Sequence, residues 1–183
     1  STNGSRSLSF PNTTRQMEPA IFSWQRVDPS VQIELIEPDG YAYIGGSATD
    51  LGGGEYLYQY NIFNLDSNAG IDTLTINADG VNVLSSDYHT PGWHSGSLYD
   101  NGPWTTPSGM GDLEFTVQNK GVNDNRVRWA TMYSFTFTAE AEPTDGSVTV
   151  NVPGIGEFEV NMVVPQGNAC AGDFNGSGNV DSA

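Results

Sequence analysis

The last residues of the chain carry oxygen-bearing side chains at the spacing of a calcium-binding loop. If Asp173 is position 1, oxygen ligands fall at positions 3, 5, 7 and 9, and Gly178 stands at position 6, where such a loop turns sharply. The ligand at position 12, normally a bidentate acid, is not in the sequence, which ends at Ala183. Because calcium affinity follows ligand charge, the pattern predicts a weak Ca²⁺ site, with a polar tail as the alternative. The predicted ligands are Asp173, Asn175, Ser177, Asn179 and Asp181.

A second group of candidate residues lies in the segment 86–111, which is much longer than the usual loop of about 4–6 residues. It contains His89, Trp93, His94 and Trp104. Flat aromatic rings can stack on the C–H faces of sugars, and histidines beside aspartates could hold a metal ion. The alternative is that both tryptophans fold back over the β-structure while the backbone satisfies the histidines.

Charge and cysteine content exclude several classes of partner and cofactor. The sequence has 22 acidic residues against 6 basic ones, a formal charge of -16, which argues against nucleic acid and anionic membranes. Cys170 is the only cysteine, so the chain has no intramolecular disulfide and no CxxCH attachment for haem. No run of eighteen apolar residues indicates membrane insertion. A start at Ser1 without an apolar leader is typical of a processed secreted protein, so we expect an extracellular or cell-surface location.

Enzymatic motifs are missing from the sequence. It contains no GxSxG, HExxH, GxxxxGK[ST] or correctly placed GxGxxG pattern. A glycoside hydrolase needs two carboxylates at a fixed separation, and nothing in the spacing singles out such a pair. We therefore expect a protein that is not an enzyme.

The elements that must position these residues are strands. Apolar and polar residues alternate with period two in most of the chain, and turn sequences separate the runs. In the run 126–139 one face of the predicted strand carries Trp129, Thr131, Tyr133, Phe135 and Phe137. We interpret Gly45-Gly46 as a bulge and Gly52-Gly-Gly54 as a turn. One-sided alternation predicts an all-β fold, an antiparallel β-sandwich of about ten strands with extended N- and C-terminal tails. The predicted strands are 20–27, 31–37, 41–49, 55–63, 71–77, 81–85, 112–119, 126–139, 146–152 and 156–164, and the predicted regions are a tail at 1–19, a sandwich at 20–165 and a tail at 166–183.

Two kinds of segment resemble known families. GDFNGSGNVDSA resembles the first half of a dockerin-type calcium repeat, although Ser177 replaces an aspartate and no second repeat follows. EYLYQYNIFNLDSNAGIDTLTI and NDNRVRWATMYSFTFTAEAEP are similar to a family of secreted bacterial β-sandwich proteins of unassigned function that typically carry such a tail. The resemblance spans residues 55–183 and implies an extracellular protein, with no catalytic residues to transfer.

The N-terminal tail suggests self-assembly. Leu8 and Phe10 alternate with Ser7 and Ser9, a pattern suited to a strand added to the sheet edge of another copy. Head-to-tail addition of this kind can build a filament. The leading hypothesis is a secreted, non-enzymatic structural subunit that assembles with copies of itself into a filament or surface assembly through its termini. The alternative is a carbohydrate-binding module tethered by the dockerin-like tail. Its partners would be a polysaccharide ligand or a scaffold protein. Its predicted site consists of His89, Trp93, His94 and Trp104.

Overall fold

In the part of the chain that the structure describes, ten strands form two antiparallel sheets of five strands each, which confirms the predicted β-sandwich. The computed structural model describes residues 15, 17–94, 97–110 and 112–167. The proposed calcium ligands, Cys170, Leu8 and Phe10 lie outside these residues. The first sheet has the order β1-β2-β3-β8-β5, and the second has the order β10-β9-β4-β7-β6. The bounds are α1 Phe22–Val27, β1 Gln32–Ile36, β2 Ala42–Gly52, β3 Glu55–Asn64, β4 Thr73–Ile76, β5 Val83–His89, β6 Trp104–Thr105, β7 Glu114–Val117, β8 Thr131–Ala139, β9 Pro143–Val152 and β10 Gly156–Pro165.

Alternate residues of the strands build a single core between the two sheets. On β3 from Tyr58 onward and on β8 from Tyr133 onward, every second side chain is buried, as the period-two pattern predicts. Two tyrosines of β3 keep their hydroxyls hydrogen-bonded at the rim of this core, because an unpaired buried hydroxyl would be costly. Tyr58 donates to the Ala141 carbonyl at 2.6 Å, and Tyr60 donates to the Val163 carbonyl at 2.8 Å.

The prediction of a strand at 20–27 is wrong, because Phe22–Val27 forms the short helix α1. The helix lies against the outer face of the first sheet, where the Phe22 ring meets the Tyr43 ring edge-on at 5.3 Å. Ile21 and Trp24 are three residues apart, which is a helical spacing, and both contact the backbone region of Gly45. Alternation over so few residues does not separate a strand from a helical turn.

The interpretation of Gly45-Gly46 as a bulge is also wrong. Both residues sit in regular register between β1 and β3, and the register shift in β2 falls between Asp50 and Gly52. Glycine is needed for space, since a Cβ at Gly46 would lie 2.5 Å from the Met162 sulfur. The segment Gly52-Gly53-Gly54 is a turn as predicted, and all three residues have positive φ.

The strand predicted at 126–139 begins only at Thr131. Ala130 has a φ of 56°, a left-handed conformation that breaks the extended chain. Trp129, expected to share a buried face with Tyr133, therefore lies outside the strand and is 65% exposed. The strand predicted at 81–85 extends further than expected, to His89.

No helix among the described residues is long and apolar enough to cross a membrane.

Candidate functional site

Five loops meet at one end of the sandwich, because every connection between consecutive strands reverses the chain direction. Starting from β1, the loops at this end are those after β1, β3, β5, β7 and β9. Three of them are long and carry most of the unusual residues of the protein. The loops are 37–41, 65–72, 90–103, 118–130 and 153–155.

Polar contacts tie the long loops to one another. Asn64, at the end of β3, donates to the Val127 carbonyl at 3.0 Å, and Ile71 and Val127 form an isolated antiparallel bridge. The Asp100 N–H donates to the Asn123 carbonyl at 2.8 Å, which joins loop 90–103 to loop 118–130. The three long loops at this end therefore form one connected surface.

A buried carboxylate organises loop 118–130. The Asp124 side chain is fully buried, and it accepts hydrogen bonds from Arg126 at 2.5 and 2.8 Å and from Arg128 at 2.8 Å. The Gly121 N–H donates to the same carboxylate at 3.0 Å. Burial by itself raises the pKa of Asp124, but the Arg126 and Gly121 hydrogen bonds and the two guanidinium charges outweigh it, so that the pKa is lowered overall. Asp124 is therefore an anion at neutral pH, and the loop is folded around it.

The second arginine of this cluster extends the network to loop 90–103. The Arg128 guanidinium carbon lies 4.1 Å from the centre of the Tyr99 ring, a cation–π contact. Burial lowers the pKa of Arg128, while Asp124 opposes that effect. The Tyr99 ring in turn meets the His94 ring edge-on at 5.8 Å. Asp124 thus acts through Arg128 on the position of Tyr99 and His94.

His94 is buried beside the end of the core. Its Nε2 lies 3.3 Å from the Tyr133 hydroxyl, and that hydroxyl donates to Asn125 Oδ1 at 2.7 Å. Since the hydroxyl donates to Asn125, the contact with His94 is a hydrogen bond in the tautomer that carries its hydrogen on Nε2 and donates it to the tyrosine oxygen. Burial raises the pKa of Tyr133. His94 therefore anchors its loop to β8 through Nε2.

Trp104 is a core residue, which corrects its predicted role in an exposed aromatic platform. It is 2% exposed, its ring lies 4.9 Å from that of Phe135, and its indole N–H donates to the Asn125 carbonyl at 2.7 Å. The alternative interpretation, in which the tryptophan folds back over the β-structure, holds for this residue. Its two-residue strand β6 pairs with β7 at the edge of the second sheet.

Trp93 behaves in the opposite way, since 77% of it is exposed. The chain places it immediately before the anchored His94, and Asn101 donates to the Gly92 carbonyl on its other side at 2.8 Å. Trp129 has a parallel setting, because it follows Arg128 and precedes the left-handed Ala130. Both exposed rings are thus attached to backbone that buried neighbours hold in place.

We call this surface the aromatic end and define it by its exposed apolar residues. Its members all belong to loops 90–103 and 118–130, which the Asp100–Asn123 and Arg128–Tyr99 contacts join. Exposed apolar surface of this kind is typical of interaction sites, because most monomeric proteins keep such groups dispersed. The members are Trp93, Leu98, Tyr99, Val122 and Trp129.

His89 is the remaining candidate from the sequence. It is the last residue of β5, is exposed, and pairs with Ser134 on the outer face of the first sheet. No group of three or more His, Cys, Asp or Glu side chains that could hold a metal ion occurs within the described ranges. The nearby acids serve the backbone instead: Asp87 accepts from the Tyr88 N–H at 2.8 Å and Asp100 from the Gly102 N–H at 3.0 Å.

Sequence reasoning found Trp93 but missed Trp129 and Val122. Trp129 continued the period-two pattern of β8, so that it looked like a core residue. The signal that could have revealed it is the NDNR segment before it, whose Asp124 and Arg126 are typical of a loop.

Comparisons with family models, with curated proteins and with solved structures found no match for this chain. The function must therefore be argued from the site itself.

Proposed function

We propose that this protein is a secreted, non-catalytic binding module whose aromatic end binds a polysaccharide. The observation that carries the proposal is the pair of exposed tryptophans, Trp93 and Trp129, on loops fixed by buried contacts. A tryptophan has only two side-chain torsions to fix, so that its ring loses little conformational entropy when a ligand stacks on it. Exposed rings on an open surface suit an extended ligand better than a small molecule, which needs a concave pocket.

The charge of the protein narrows the ligand class to neutral polysaccharides. With a formal charge of -16, the protein repels sulfated glycans, uronic acid polymers and nucleic acids. At the aromatic end itself, the carboxylate of Asp124 offsets one of the two guanidinium charges of Arg126 and Arg128, and both of these side chains are largely buried. No free cationic cluster is left in the described part of this surface to attract an anionic chain.

Affinity electrophoresis in gels containing neutral or anionic polysaccharides tests the proposal, with isothermal titration calorimetry on any polymer that retards the protein. We expect retardation by at least one neutral polymer and weaker retardation by Trp93→Ala and by Trp129→Ala. Leu51→Ala is the matched control, because Leu51 is a half-exposed apolar residue near the end of β2, at the opposite end of the sandwich. Equal mobility of all variants on every polymer that retards the protein would refute the proposal.

A self-assembling structural subunit is the second candidate function. Both sheets are open, so that the described residues include four edge strands, β1, β5, β6 and β10, to which an added strand could pair. The residues proposed to donate that strand, Leu8 and Phe10, lie outside the described residues, as do the proposed Ca²⁺ ligands. Assembly, the calcium site and the dockerin-like tether therefore stay predictions. Light scattering with and without Ca²⁺, with Asp173→Ala as the control for metal binding, tests them together.

A further inference from the structure

The four sheet edges differ in how well they are protected against an added strand. β6 has only two residues. The 106–113 loop covers β5, since Val83 pairs with Gly109 and Ser86 donates to the Pro107 carbonyl at 2.6 Å. β10 presents Glu157 and Glu159 along its exposed face, and charged side chains disfavour strand addition.

β1 is less protected, since it has five residues and carries one acid, Glu34. Among the described residues it pairs only with β2, and β10 reaches it through the Gln32 side chain rather than through a ladder of backbone hydrogen bonds. Its outer face is apolar: Ile33 and Leu35 lie in register with Gly45 and Tyr43, the residues on which α1 packs. Leu35 remains 44% exposed at the end of that row.

The opposite face of β1 is polar. Gln32 and Glu34 point toward the second sheet and line an open groove of about 640 Å³ between β1 and the β9–β10 pair. Gln32 Oε1 accepts a hydrogen bond from the Val163 N–H at 2.6 Å across this groove. The other polar lining residues are Asn77, Asp145, Ser147, Glu159 and Asn161. A strand added beside β1 must therefore be apolar on one face and carry small polar residues on the other.

We propose that the segment Ser7–Phe10 of the same chain pairs with the free edge of β1 and extends the first sheet to six strands. In the order Ser7-Leu8-Ser9-Phe10, Leu8 and Phe10 continue the apolar row of Ile33 and Leu35, while the two serines face the polar groove. The one segment thus matches both faces of β1.

Chain length favours the chain's own segment over that of a second copy. The nine residues 11–19 between Phe10 and the region of α1 span at most about 30 Å when extended. α1 lies on β2, the neighbour of β1, so that the free edge is about two strand spacings away, roughly 10 Å. A short tether that can span the distance gives an effective concentration in the millimolar range, well above that of a second copy in dilute solution.

Hydrogen exchange of the full chain, followed by NMR at single residues, tests this inference. In β1 the N–H groups of alternate residues point away from β2, toward the free edge. We expect these N–H groups to be protected in the wild-type protein and to exchange about tenfold faster or more in Leu8→Asp/Phe10→Asp. The matched control, Ser7→Thr/Ser9→Thr, preserves the strand pattern and should keep the protection.

Three results would overturn the inference: no protection at the free edge in the wild-type protein, protection that survives Leu8→Asp/Phe10→Asp, or protection that falls on tenfold dilution. The last result would assign the added strand to a second copy. The exchange rates of β4 amides serve as an internal reference, because β4 is the central strand of the second sheet and the variants should leave them unchanged. The inference is independent of glycan binding, so that either can fail without the other.

Discussion

Removal of the Asp124 charge should destabilise the aromatic end and the whole domain. In Asp124→Asn the hydrogen-bonding shape is nearly kept, but Arg126 and Arg128 lose their common anion. Breaking a buried ion pair by removing one partner costs about 3–5 kcal/mol. The Arg126 side chain is 13% exposed and can gain some water, so we expect the lower end, about 3 kcal/mol.

For a domain of this size a loss of about 3 kcal/mol lowers the melting temperature by roughly 6–12 °C. Urea unfolding followed by circular dichroism gives the unfolding free energy. The control is Asp145→Asn, because Asp145 is an exposed acid near the start of β9, at the opposite end of the sandwich from Asp124. The double variant Asp124→Asn/Arg128→Met removes the more buried of the two cations left without their anion and should be less destabilised than the sum of the single changes. An effect of Asp124→Asn no larger than that of the control, about 0.5 kcal/mol or less, would refute the assignment of Asp124 as the organiser of this end.

Three further predictions concern the same structure. The folded-state pKa of Asp124 is lowered below its unfolded value of about 3.9, so that its contribution to stability is complete above that pH and is lost as the pH falls through the folded-state pKa. In urea titrations from pH 5 to pH 2, the unfolding free energy should therefore fall more steeply for the wild type than for Asp124→Asn. Parallel curves for the two proteins would contradict this. Trp104→Ala should cost about 3–5 kcal/mol of unfolding free energy, whereas Trp93→Ala should cost about 0.5 kcal/mol or less, because Trp104 is packed in the core and Trp93 is exposed. Urea unfolding measures both costs, and similar values would contradict the placement of the two rings. Gly46→Ala should lower the unfolding free energy by about 1–3 kcal/mol, because its Cβ would clash with the Met162 side chain. Met162→Ala in the same chain should recover part of that loss. Full stability of Gly46→Ala in thermal unfolding would show that the space between Gly46 and Met162 is larger than described.

The sequence predicted the sandwich well because period two is a direct consequence of strand geometry. It placed the fully buried Tyr133, Phe135 and Phe137 on one face of a strand, and the structure confirms this for all three. Pattern alone failed where contacts distant in sequence decide the local conformation. The Asp124–Arg128 contact, rather than the alternation of apolar and polar residues, determines the backbone conformation of the residues before Thr131.

The candidate site was only partly accessible to the same reasoning. Trp93 and Trp104 lie in one polar loop and look equivalent in the sequence, yet one is exposed and the other is buried. What separates them is the Asn125 carbonyl and the Phe135 ring, which come from another loop and another strand. No local pattern records these partners, because they approach Trp104 only once the two sheets have packed.

The most direct test of polysaccharide binding at the aromatic end compares dissociation constants measured by calorimetry for the wild type and for Trp93→Ala/Trp129→Ala. The ligand is the neutral polysaccharide that retards the wild-type protein most strongly. Stacking on an aromatic ring contributes about 1–3 kcal/mol, so that the loss of both rings should weaken binding by about 30-fold or more while the melting temperature changes little. An unchanged dissociation constant in the double variant would contradict the assignment of the aromatic end as the binding surface.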